Sequence, residues 1–347
     1  MTHLPTLRTI TALLAALTAV LLGLLPSCAP HKTMTTPLPD DRPVIGIAWR
    51  ADTGTNSYQY HYRAIEAAGG RPVLLPEVKS AYLPYDGDTL AAACLDSLGI
   101  LRPEYAEAVK RYTYRGSNAE AALRGIDAVV FTGGEDIVPT LFARPEPWHG
   151  IESERNFNAT RDVADLLLMR YCLDHDIALL AICRGFQIMG VAEGCPLIQD
   201  IPAYYAAAGR DDRHVHRNPP VPEGHKRAYA CHDVAVTDHA SLLYRIMRAD
   251  TLRRVPSWHH QGIASVEGSP LKATAVTTVD GITLIEAFER PDRRFALGLQ
   301  FHPEVAVCKR FDREPAAERF ASIDESIAYF SSLVDEARRR RAAHSAP

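Results

Sequence analysis

The residues best suited to covalent chemistry lie in the stretch "IALLAICRGFQIMG", from Ile177 to Gly190. An unbroken apolar run, short enough for a buried strand, ends in Cys183 and passes at once through Arg184-Gly185 into helical spacing. A cysteine is most often one more small core residue, yet a packing residue has no reason to stand where the period changes. A sharp strand-to-helix turn would lift its side chain above the carboxyl edge of the sheet and expose it. The helix N-terminus beside it offers free backbone N–H groups and a positive dipole end. A thiolate is favoured there and can attack a carbonyl carbon, and the Arg184 N–H can stabilise the oxyanion that forms. Gly185 suits a turn with no room for a Cβ. His302 follows the apolar run "FALGLQF" and should emerge at a strand end near the same edge.

The elements needed to position these residues can be read along the chain. "RPVIGIAWR" (Arg42–Arg50), "RPVLLP" after Gly70 and "IDAVVF" (Ile126–Phe131) read as buried strands. "YQYHYRAIEAAGG" (Tyr58–Gly70) and "RDVADLLLMRYCLDHD" (Arg161–Asp176) read as amphipathic helices, the first with a Gly-Gly stop. Alternating strands and helices predict an α/β fold, a mainly parallel central sheet with helices on both faces. Leu271–Phe301 reads as three strands at hairpin spacing, with Asp280-Gly281 at the first turn. A long helix closes the chain. Between Pro76 and Arg124 the pattern weakens into what reads as inserted helical structure.

"AICRGFQIMGVAEGCPLIQDI" resembles the nucleophile elbow of class I glutamine amidotransferase-like proteins, which are flavodoxin-like in fold. More narrowly, it resembles the peptidase C26 family, the γ-glutamyl-γ-aminobutyrate hydrolase-like proteins. The resemblance runs through "RPVIGI", "AIEAAGGRPVLLP", "DAVVFTGGEDIVPTLF", the elbow, "VPSWHHQGI" and "RRFALGLQFHPE" in the same order. It implies a catalytic triad: Cys183 as nucleophile, His302 of "FHPE" as base and later acid, and Glu304 orienting the imidazole. It further implies a second oxyanion N–H from Gly133 or Gly134, and substrate contacts from Gln187, His259, His260 and Gln261. The chain departs from the family pattern at Ala181, where glycine is usual. It departs again in "SERNFNAT" (Ser153–Thr160), where Asn156 and Ala159 stand for two expected acids.

The chain has 347 residues, 47% of them apolar and 23% charged, with a net charge of −4. That balance gives no general attraction to nucleic acid. The uncharged run Thr9–Leu25 followed by Leu-Pro-Ser-Cys28 reads as a lipoprotein signal peptide over 1–27, with Cys28 lipidated and a polar tether over 28–41. A single hydrolase domain would fill 42–342, with insertions near 77–124 and 305–320. Ala29 after the lipidated cysteine favours an outer-membrane site, with the lipid as the only membrane contact and the catalytic domain outside the cytoplasm. Setting Cys28 and Cys183 aside leaves an odd number of the seven cysteines and no CxxC spacing, so buried free thiols are expected. "RDDRHVHRN" (Arg210–Asn218), with His225 and His232 downstream, carries alternating histidines that could bind zinc. A solvated loop around His214 and His216 is the simpler reading, and no metal is expected.

Together these features predict a cysteine hydrolase acting on a small γ-glutamyl amide or peptide through a thioester, without a cofactor. A homodimer is compatible with the sequence. One alternative is a glutaminase subunit delivering ammonia to a synthase, which the expected anchor disfavours. Another is a surface binding protein, which the intact Cys-His-Glu set disfavours.

Overall fold

In the computed structural model, residues 40–49, 56–150, 152, 155–219 and 228–345 are described. The elements belong to the unit Arg42–Pro347. The expected signal peptide, Cys28 and all but the last two residues of the tether lie outside the described residues, as does His225. Among the described residues no helix is long and apolar enough to cross a membrane.

The chain begins with β1 (Val44–Ile47), α1 (Asn56–Ala67) and β2 (Arg71–Leu74). A short hairpin follows, β3 (Tyr85–Asp86) and β4 (Thr89–Leu90), then α2 (Pro103–Tyr112) and α3 (Ala119–Ala122). The next elements are β5 (Ala128–Phe131), α4 (Ala159–Asp174), β6 (Ala178–Ile182) and α5 (Arg184–Ala192). They lead to β7 (Leu197–Ile198), α6 (Ile201–Ala207), β8 (Ala230–Val236), α7 (Leu242–Met247), β9 (Thr251–Ser257) and β10 (Gly262–Ile263). The chain ends with β11 (Lys272–Val279), β12 (Ile282–Glu289), β13 (Ala296–Leu299), α8 (Pro303–Phe311) and α9 (Ile323–Ser345).

The fold is α/β. A nine-stranded sheet runs in the order β2-β1-β5-β6-β13-β12-β11-β8-β9. Neighbours from β2 to β13 are parallel, and the three strands expected from Leu271 to Phe301 continue the sheet as antiparallel neighbours of one another. The parallel part has the 2-1-3-4-5 order of doubly wound flavodoxin-like sheets. Strand side chains alternate between two layers, as the period of two requires. Val130, Leu180 and Leu297 pack with Ile65 of α1 and Phe330 and Leu333 of α9. Val129, Phe131 and Leu179 pack with Leu167 of α4 and Phe186 and Met189 of α5.

Two expectations change, for helix α4 and for the segment from 77. Helix α4 is not amphipathic: Arg161, Asp162 and Asp165 are as buried as its leucines, because partners inside the protein neutralise them. The stretch 305–320 begins inside α8, where Val305, Ala306, Val307 and Cys308 are buried. The segment from 77 is helical as expected but also holds the β3–β4 hairpin, and Leu90, Cys94, Leu101 and Val109 join the main core. The described cysteines are free thiols; Cys231 is half-buried and the others are buried.

Candidate active site

Strand β6 ends at Ile182, and Cys183 turns the chain into α5 with φ 53° and ψ −104°. A non-glycine residue in this left-handed region carries strain of about 1–3 kcal/mol, tolerated where the surroundings fix it. The surroundings here are close-packed. A Cβ on Gly185 would lie 2.7 Å from both Cβ and the carbonyl oxygen of Phe131, so only glycine lets the helix start this near β5. A Cβ on Gly133 would lie 3.0 Å from His302 Cε1 and 3.6 Å from Cys183 Cβ, so the glycine loop after β5 covers the Cys183–His302 pair. Cys183 is therefore 5% exposed, against the expectation of an open side chain. Its sulfur lies 4.0 Å from the carbonyl oxygen of Trp258.

The parallel pairing of β6 with β13 brings the histidine to the cysteine. Ile182 is in register with Leu299, and the Cys183 N–H donates to the Leu299 carbonyl at 2.8 Å. Three residues on, His302 caps α8, its own N–H held by the Pro256 carbonyl at 2.8 Å. His302 Nδ1 donates to Glu304 Oε1 at 2.7 Å, which fixes the ring and leaves Nε2 for other work. Burial opposes a charge on His302, but the Cys183 sulfur and the Glu304 carboxylate outweigh it and raise its pKa well above the ordinary value. Burial likewise opposes the Glu304 charge, yet His302 and His61 hold it below the usual carboxylate value. His61, on α1, lies 3.9 Å from Glu304 Oε1 and had no signal in the sequence beyond helical spacing.

The glycine loop is held by ions that the sequence reading missed. Arg161 Nη2 donates to the Gly133 carbonyl at 2.7 Å and to Thr132 Oγ1 at 2.8 Å, and Nη1 donates to Glu135 at 2.6 Å. In a planar trans peptide the Gly134 N–H points opposite to the Gly133 carbonyl, so Arg161 fixes the direction of that N–H. Asp165 accepts from Arg184 Nη1 at 2.5 Å and Arg161 Nε at 3.3 Å, and Asp162 accepts from Arg184 Nη2. Although burial opposes its charge, Arg184 is kept charged by Asp162 and Asp165. These acids stand just C-terminal to "SERNFNAT", where the family resemblance implies acids. That stretch supplies Asn158, which caps α4 through the Arg161 N–H, and Asn156, whose N–H donates to Asp136. The readable signal was charge at i and i+4 inside an otherwise apolar helix.

The expected substrate binders are less available. The Gln187 amide nitrogen donates to the Gln261 carbonyl at 3.0 Å and Gln300 Oε1 at 3.2 Å. His260 sits between Asp136 (2.7 Å) and Asp200 (3.4 Å). Burial opposes its charge, but the two carboxylates raise its pKa to about 9. Gln261 accepts from the Ile137 N–H at 3.3 Å. His259 is buried beside Glu286 rather than at the site's mouth. All four brace the wall of the site from within. The solvated-loop reading of residues 210–218 holds for His214, which is exposed, and fails for His216. His216 is 1% exposed, because an inward-facing carboxylate on β12, Glu286, draws it in.

Comparison with known proteins places this chain in a family. The family model for peptidase C26 matches residues 111–304. Protein NtpR of Enterococcus hirae is 31% identical over 54% of this chain and 70% of its own. A Mycobacterium tuberculosis protein named after the glutamine amidotransferases is 31% identical over 77% of this chain and 71% of its own. A gamma-glutamyl-gamma-aminobutyrate hydrolase of Escherichia coli O157:H7 is 30% identical over 53% of this chain and 66% of its own. The chain belongs to the peptidase C26 family, and its function is of the glutamine amidotransferase or γ-glutamyl hydrolase type.

Proposed function

We propose that the protein is a cysteine hydrolase that cleaves γ-glutamyl amides or peptides through a thioester. The observation that carries this reading is the strained Cys183 at the start of α5, packed with a His302 already oriented by Glu304 under the Gly133 loop. The Cys183 thiolate attacks the γ-carbonyl carbon, and the new oxyanion accepts from the Arg184 N–H and from a glycine N–H of the loop at Gly133-Gly134. The imidazolium of His302 gives its proton to the leaving nitrogen as the C–N bond breaks, and the amine departs. His302 then takes a proton from water, the hydroxide adds to the thioester carbon, and glutamate leaves as the C–S bond breaks and the thiolate is restored. No metal or organic cofactor enters these steps.

The leader ending in Leu-Pro-Ser-Cys28 supports the further reading of a lipid-anchored enzyme of a bacterial cell envelope, with the outer membrane favoured. The similarity to relatives named after glutamine amidotransferases keeps ammonia release from glutamine as the second reading. A mass-spectrometric screen of γ-glutamyl amides and peptides, with glutamine among them, separates the two. Release of glutamate from γ-glutamyl amines or peptides in preference to glutamine is expected, with turnover abolished in Cys183→Ala. Full turnover by folded Cys183→Ala would falsify the nucleophile.

A further inference from the structure

Beside the site, in a place the reaction does not use, four side chains turn polar atoms toward one another in the interior. Glu286, on the face of β12 shared with Leu284 and Phe288, is fully buried, and neither of its oxygens makes a hydrogen bond. His216 Nδ1 approaches Glu286 Oε1 at 3.0 Å, yet neither ring nitrogen of His216 is in hydrogen-bonding geometry with any group. His232 Nε2 and His259 Nε2 lie 3.9 and 4.0 Å from the same oxygen, again without a hydrogen bond. Among the described residues no lysine or arginine pairs with Glu286; its ion-pair neighbours are these three histidines.

The outer face of a ring decides what its inner face offers. His259 Nδ1 lies 2.8 Å from the Gln261 carbonyl, while His232 Nδ1 lies between the Asp233 carbonyl at 3.2 Å and the Thr277 hydroxyl at 3.3 Å. A carbonyl only accepts, so Nδ1 carries the proton in His259, and in the neutral imidazole Nε2 is then a bare lone pair. The His259 lone pair therefore faces a carboxylate that also only accepts. Acceptors facing acceptors in a buried place call for a cation between them. Imidazoles whose second nitrogen is tied to a backbone carbonyl are the usual metal-ligand arrangement.

We propose that His216, His259 and Glu286, with His232 as the fourth group, form a binding site for a divalent transition metal, zinc in the first instance. The candidate ligand atoms of His216, His259 and Glu286 all lie within 4.8 Å of one another. Ligands of a tetrahedral zinc at 2.0–2.1 Å stand roughly 3.3 Å apart, so small side-chain movements close the site. Two or three imidazoles with one carboxylate suit zinc over the oxygen-seeking magnesium or calcium. The proposal departs from the expectation of no metal, and under it His259 would serve the ion rather than substrate. The ion would join the 210–218 loop, β8, β12 and the turn after β9. That turn also carries the Trp258 carbonyl, 4.0 Å from Cys183 Sγ, so the metal is a structural brace behind the site wall.

The test is metal content and metal-dependent melting of the full-length protein and its variants, purified from zinc-supplemented culture. About one zinc per chain is expected, lost in His216→Ala and in Glu286→Gln and kept in His214→Ala, whose side chain is exposed. Cobalt(II) in place of zinc should give the visible d–d absorption of a four-coordinate centre in the parent protein and not in Glu286→Gln. Zinc should raise the melting temperature of chelator-stripped parent protein but not that of Glu286→Gln. Folded parent protein that takes up no zinc overturns the proposal, as does equal zinc content in Glu286→Gln. A Glu286→Gln protein that melts higher than the zinc-supplied parent also overturns it, since relief of an unpaired buried charge would then be the whole effect. If His216→Ala does not fold, His232→Gln and Glu286→Gln carry the same comparison.

Discussion

At the scale of single residues, the proposed triad divides its work in a way that mutation separates. His302 carries the proton, whereas Glu304 holds the ring by one 2.7 Å bond and supports its charge. Replacing an orienting carboxylate by its amide costs on the order of a thousandfold or more, and removing the base itself costs on the order of a millionfold. Glu304→Gln should therefore retain more turnover than His302→Ala in steady-state assays. Equal rates for Glu304→Gln and the parent would reduce the triad to a dyad. Glu135 gives a second residue-scale expectation, in stability. Burial opposes its charge, but Arg161 and Arg184 win and push its pKa from 4.5 down to about 2. A depressed carboxylate stabilises the fold above its unfolded value and loses that contribution as pH falls through the folded one. The contribution is thus complete above 4.5, is lost progressively toward about 2, and amounts to at most about 3 kcal/mol. Melting temperatures of parent and Glu135→Gln should differ most at neutral pH and converge as acid is added; a constant gap would show that the charge is not what matters.

At the scale of elements, the site depends on how closely α5 starts against β5. The 2.7 Å approach of a Cβ on Gly185 to the Phe131 backbone leaves no route for a side chain without moving the helix N-terminus. Gly185→Ala should destabilise by about 1–3 kcal/mol, as overpacking does. It should also lower kcat, because the Arg184 N–H moves with the helix start. Denaturant unfolding and steady-state kinetics on one preparation test both; a stable, fully active Gly185→Ala would mean the turn can relax. Helix α4 contributes differently, through Arg161 and Asp165. Asp165 joins two arginines in the interior, and removing one partner of a buried ion pair costs about 3–5 kcal/mol. Asp165→Asn should unfold at clearly lower denaturant than the parent, with the glycine loop and so turnover affected together. Unchanged unfolding would place the arginines' support in Asp162 and Glu135 alone.

At the scale of the whole molecule, the sheet's parallel half holds the cysteine and histidine at adjacent strand ends, and its antiparallel extension builds the wall beside them. The proposed anchor belongs to this scale as well. Several acyl chains on Cys28 would hold the protein firmly to a membrane, since each buried CH₂ contributes about 0.8 kcal/mol and one chain alone is marginal. Fractionation of the native host should find the parent protein in membranes and Cys28→Ala released from them. Cytosolic protein that still carries residues 1–27 would remove the anchor and favour the ammonia-supplying reading.

The sequence by itself determined what depends on local period and turn chemistry. The strand-to-helix break at Cys183 is local, as are the emergence of His302 after an apolar run, the requirement for glycine at 185 and the α/β alternation. Each was readable because neighbours in the chain decide it. Only the tertiary structure decided what depends on meetings across the chain. It buried Cys183 under the Gly133 loop and Trp258, tied Gln187 and Gln261 into the wall, and drew Arg161, Asp162 and Asp165 inward to Arg184 and Glu135. It also gathered His216, His232 and His259 around Glu286 from loops and strands far apart in the chain. A charged or polar side chain looks the same in sequence whether water or a buried partner satisfies it. Which of the two it meets is settled only when the sheet closes.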